Sequence, residues 1–147
     1  MDIYAPFDSK LQFEFVDDMW SSRRLGRFRV RVIHEVTCYV NGLHITIPAG
    51  FVTDFASTPR AVWFMYPPWG LWAEPAVVHD RLYVTGVCSR EDADKILKSL
   101  MQRMGIGSFT CNIFYAGVRV GGWRAWNRYR RCEDLSTYYN TKEQYKL

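Results

Sequence analysis

The apolar residues of this chain change their spacing once, and that change limits the fold more than any other feature of the sequence. From Leu11 to Ile47 large apolar residues tend to alternate with polar ones, the period of a half-buried strand. From Ser89 to Met104 they recur every three or four residues, the period of a helix packed by one face. Strands first and helices after predict an α+β fold, a small antiparallel β-meander packed by three to four helices. The strands are expected over about residues 11–56, the helices over about 59–130 and a polar tail over 132–147, all in a single domain spanning residues 1–147.

Each stretch carries its own signals. LQFEFV, residues 11–16, alternates as a strand does. RFRVRVIHEVTCYV, residues 27–40, reads as one strand, with Phe28, Val30 and Val32 on one face and Arg27, Arg29 and Arg31 on the other. Asn41-Gly42 is the strongest short hairpin signal available, and LHITIPAGFVTDFAS returns from it, bent or ended by Pro48 and Gly50. Thr58-Pro59 predicts the start of a short helix stopped by Pro67-Pro68. A second helix is expected over residues 73–85, ended by Gly86. In SREDADKILKSLMQRMG, Ser89 and Asp92 have capping-box spacing. Ala93, Ile96, Leu97, Leu100, Met101 and Met104 form one stripe there, and Gly105 closes the helix. Ser108 is expected to cap one long helix running to about Arg130, on which Gly117 and Gly121 would let another element approach closely.

A chain of 147 residues can bury about 70% of its unfolded surface, so it needs neither disulfides nor metals to hold together. The net charge of +4 is well short of the density of a dedicated nucleic-acid binder. Cys38, Cys88, Cys111 and Cys132 lie far apart with no CxxC spacing, the pattern of reduced thiols in a cytosolic protein. MDIYAPFDSK lacks the positive region and apolar stretch of a signal peptide. No apolar run reaches the ~20 residues of a membrane helix.

The chemistry gathers in AVVHDRLYVTG, where His79 and Asp80 interrupt an apolar run and Tyr83 follows one helical turn later. The helices on either side of residues 85–88 should pack antiparallel. His79 and Asp94 lie at similar offsets from that turn, so at ~1.5 Å rise per residue they come level. Asp94 sits on the flank of the apolar stripe and needs a donor, which the His79 imidazole can supply. Tyr83 shares a face with His79. Asp80 is expected about a quarter-turn away, free for a cation. A carboxylate that fixes an imidazole lets the other ring nitrogen take a proton from water. His79, Asp94 and Tyr83 are therefore candidate catalytic residues, with Asp80 and Asp54 as candidate ligands of a divalent cation, calcium or zinc. The competing reading is a buried structural network of the same side chains. Ser57 lacks a nucleophile elbow and is not a candidate nucleophile.

Four motifs carry a resemblance. Gly50 to Arg60 (GFVTDFASTPR), Pro67 to Gly70 (PPWG), His79 to Tyr83 (HDRLY) and Ala93-Asp94 occur in order and in register. Together they resemble the DUF1353 family, small phage and prophage proteins known as a domain of unknown function. That resemblance implies a phage origin, and with it a place in the host cytoplasm, the virion or both. A looser, local one is to phospholipase A2, whose His-Asp-x-x-Tyr helix and partner-helix Asp are similar. It implies His79 as the base that activates water, Asp94 as its orienter, Asp80 on calcium and Tyr83 in support. Trp63, Trp69 and Trp72 would then face lipid, or, in a virion or tail component, other phage proteins. The sequence departs from phospholipase A2 in lacking the glycine-rich calcium loop and the disulfide framework.

GVRVGGWRAWNRYRR interleaves arginines with rings, and Arg124, Arg128 and Arg131 share a stripe. The favoured reading is a terminal helix with its rings on the core and its arginines in water. Nucleic acid and an anionic membrane face are the competing partners.

Overall fold

A computed structural model describes residues 7–15, 30–53 and 71–131. Among these, five short strands precede four helices, the α+β arrangement that the change of period requires. The strands are β1 (Phe13–Phe15), β2 (Val30–Val32), β3 (Val36–Val40), β4 (Leu43–Ile47) and β5 (Val52–Thr53). The helices are α1 (Ala73–Thr85), α2 (Arg90–Arg103), α3 (Ser108–Gly121) and α4 (Trp123–Arg131). The short helix expected after Thr58-Pro59 and the polar tail lie outside the described residues.

The strands do not form one meander. β1, β2 and β5 make an antiparallel three-stranded sheet with β2 in the centre, and β3 and β4 make a separate hairpin. The run expected as one strand over 27–40 changes partners at Ile33–Glu35. Buried residues keep one parity through the break: Val30, Val32, Val36, Cys38 and Val40. The inward position between them is His34, whose Nε2 lies 3.1 Å from the Lys10 carbonyl oxygen. A polar residue at that position marks the exchange of ladders. The hairpin turn is as read from the sequence: Asn41 and Gly42 both have positive φ, 49° and 76°, the backbone of a type I′ turn. Across β1 and β2, Arg31 donates to the register partner Glu14 at 3.0 Å.

Both sheets and all four helices contribute to one contiguous apolar core. α1 lies at its centre, with ten of its 13 residues buried on every side. α2 is amphipathic and capped as expected: the Ser89 hydroxyl accepts from the Asp92 N–H at 3.1 Å. The long helix expected from Ser108 is two helices joined at Gly122, and the N-cap of the first is Gly107 rather than Ser108. The close approach falls at Gly122 instead of Gly121. A Cβ at Gly122 would lie 2.4 Å from the Tyr83 hydroxyl, whereas one at Gly121 would meet open space.

Two arginines finish helices other than their own. Arg130 of α4 donates to the carbonyls of Tyr83 and Val84 in the last turn of α1. Arg90 of α2 donates to the carbonyls of Val118 and Arg119 at the end of α3, at 3.3 and 3.2 Å. Helix C-termini leave carbonyls without partners, and cations there also offset the helix dipole.

Candidate functional site

The α1–α2 turn is tight because Gly86 adopts φ 63°, a left-handed residue that ends α1. The helices then run back along each other, and His79 meets Asp94 at the expected level. His79 Nε2 lies 2.7 Å from Asp94 Oδ1, and the Tyr83 hydroxyl donates to the same oxygen at 2.6 Å. The His79 and Tyr83 rings lie 4.2 Å apart. Trp126 of α4 packs edge-on against Tyr83. His79 is 2% exposed and Asp94 0%.

The second Asp94 oxygen is also engaged. Arg119 Nη1 donates to Oδ2 at 2.9 Å, and Arg90 Nη1 lies 3.6 Å from it. Burial by itself would raise the Asp94 carboxyl. Hydrogen bonds from His79, Tyr83 and Arg119 outweigh burial and hold it below the ordinary carboxylate range. Burial, reinforced by the Asp94 charge, pushes the Tyr83 hydroxyl well above its usual range, so it stays a donor.

An ionised carboxylate can only accept. The network therefore assigns the imidazole proton to Nε2, and the lone pair of a neutral ring to Nδ1. Nδ1 lies 4.0 Å from Asp80 Oδ1. The sequence led us to expect Asp80 to be free for a cation, and it is not. It is buried, and its Oδ2 accepts a hydrogen bond from the Thr53 hydroxyl of β5. A quarter-turn from His79 leads to a sheet rather than to solvent because α1 is covered on all sides. Asp54 lies outside the described residues. Among the described residues no group of three or more His, Cys, Asp and Glu side chains is placed to hold a metal ion.

The structure thus brings together His79, Tyr83, Asp94 and, on the other flank of the imidazole, Asp80. It adds Arg119, Arg90 and Thr53, which the sequence reading did not assign to the site. Arg90 had a usable signal, since it stands four residues before Asp94 on one helix. Arg119 had none, because its segment reads equally well as a solvated basic face. Trp72 is buried against Phe114, with ring centroids 5.2 Å apart, so its ring is not available at a surface contact. Trp63 and Trp69 lie outside the described residues.

Fold and cluster together define an α+β protein built around a central helix whose imidazole is tied to a saturated carboxylate. The family model described as "Protein of unknown function (DUF1353)" matches residues 30–118, more than half of the chain, and the chain belongs to that family. The match includes His79, Asp80, Tyr83, Arg90 and Asp94, and stops one residue before Arg119. No curated protein and no solved structure matches.

Proposed function

We propose that this chain is a phage-encoded hydrolase with a His79–Asp94 centre, acting on lipid or other cell-envelope material. The observation that supports this reading is the division of labour on the imidazole. Nε2 is committed to Asp94, and Nδ1 is turned toward Asp80. Asp94 fixes the tautomer and stabilises the charged ring, Tyr83 and Arg119 hold Asp94, and Nδ1 is the base. Nδ1 takes a proton from water, the oxygen attacks the ester or amide carbonyl, and the proton passes to the leaving group. The phage origin and the choice of substrate rest on the motif resemblances. A calcium or zinc ion at Asp80 and Asp54 belongs to the same reading, and it would share Asp80 with the Thr53 hydroxyl. Turnover also requires the Nδ1 side to open, because His79 is 2% exposed.

That burial favours a second reading, a non-catalytic virion or tail component in which the cluster is a structural network. One comparison separates the two. Release of fatty acid from phospholipid vesicles and of fragments from peptidoglycan is measured for wild type, His79→Gln and Asp94→Asn. Each is assayed with calcium, with zinc and with a chelator. Wild-type hydrolysis that is lost in a folded His79→Gln variant supports the hydrolase. No hydrolysis of either material under any condition, with both variants unfolding at lower urea, rejects it in favour of the structural network.

A further inference from the structure

The outward face of α4 has no part in the cluster. The helix carries Arg124, Arg128, Arg130 and Arg131 and no acidic residue. Its inward face is occupied: Tyr129 is buried, Trp126 packs on Tyr83, and Arg130 closes the end of α1. Outside, Trp123, Arg124, Asn127, Arg128 and Arg131 line an open groove of about 440 Å³. Beside this basic groove the surface is greasy. Trp123 is 48% exposed, and Val120, three residues earlier at the end of α3, is 77% exposed.

We propose that this end of the helical half, centred on Trp123, Arg124 and Arg131, docks on the surface of an anionic lipid bilayer. Charge complementarity selects a polyanion, and the apolar residues select which one. A nucleic-acid backbone rewards guanidiniums and a stacking indole but offers nothing to Val120. A bilayer interface takes both: arginines sit among the phosphates, and Trp and Val side chains reach below them. The docking surface is separate from the His79 cluster, and docking stands whether or not that cluster turns over a substrate.

Co-sedimentation of the full chain with vesicles tests it. Binding is expected to vesicles of phosphatidylcholine with phosphatidylglycerol, to weaken with added salt, and to be much weaker on phosphatidylcholine alone. The double variant Arg124→Gln/Arg131→Gln should bind anionic vesicles roughly 25-fold more weakly, about fivefold per guanidinium near the surface. Trp123→Ala should weaken binding to them at every salt concentration. These residues are exposed, and hydrolysis of a soluble short-chain ester, if present, should be unchanged in the double variant, so a failed docking surface is distinguishable from a failed active site. Equal binding to neutral and anionic vesicles, wild-type binding by the double variant, or no binding at all overturns the proposal. So does loss of duplex DNA binding in the double variant with vesicle binding unaffected, which assigns the face to nucleic acid.

Discussion

Asp94 is a buried anion that four side chains reach, and most of what the cluster does follows from keeping it charged. Tyr83→Phe keeps the ring packing and removes one donor to that charge. It should lower stability by about 1.5–3 kcal/mol in urea unfolding, the usual worth of a hydrogen bond to an ionised group. A loss near zero would mean that the other donors compensate. The lowered Asp94 pKa also fixes the sign of a pH effect. A carboxyl held below its unfolded value adds stability that is complete above the carboxylate range and disappears as pH falls through the folded value. The stability gap between wild type and Asp94→Asn should therefore shrink as pH falls through the carboxylate range. A gap unchanged down to about pH 2 would contradict the assignment. At this scale the sequence shows the His79–Asp94 pairing, because equal offsets from a tight turn place two residues level. It does not show that Asp80 meets Thr53. The strand that supplies Thr53 is two residues long, and its position depends on long-range pairing.

Between elements, packing turns on where two segments come closest. Gly122→Ala would put a methyl group against the Tyr83 hydroxyl. It should cost about 1–3 kcal/mol, as overpacking in a core does, and disturb the Tyr83–Asp94 bond. Its neighbour serves as the control. Gly121→Ala meets open space on an exposed helical turn and should be neutral or stabilising by up to about 1 kcal/mol. Chemical denaturation of the two variants checks both, and equal effects would remove the special role of Gly122. The helices α1 and α2 are legible because glycine, serine and the apolar stripe agree on their limits. The joint at Gly122 is not, because the backbone bonds from Gly122 to Val118 and from Trp126 to Gly122 continue helically through it. Only the approach of Tyr83, 39 positions earlier, distinguishes it. The strand run over 27–40 misleads for a related reason: burial alternates unbroken through His34 while the pairing partner changes.

Across the whole molecule, the two sheets and the helices share one apolar core, with α1 between them. Unfolding should therefore be a single cooperative transition, with tryptophan fluorescence and far-ultraviolet circular dichroism coinciding. Separate midpoints would show that the sheets and helices are independent. The fold class was readable from apolar spacing alone, whereas the division into two sheets was not, since alternation sets which face is buried and leaves partner choice open. Among the described residues no helix is long and apolar enough to cross a membrane.

The clasp that Arg130 places on the end of α1 has a consequence for synthesis. His79 and Tyr83 leave the ribosome well before Arg119, Gly122 and Arg130. A nascent chain that has already made both partners of the imidazole–carboxylate pair still lacks the pieces that fasten it. Assembly of the centre is thereby tied to the emergence of α4, and the centre is incomplete until that helix has been made.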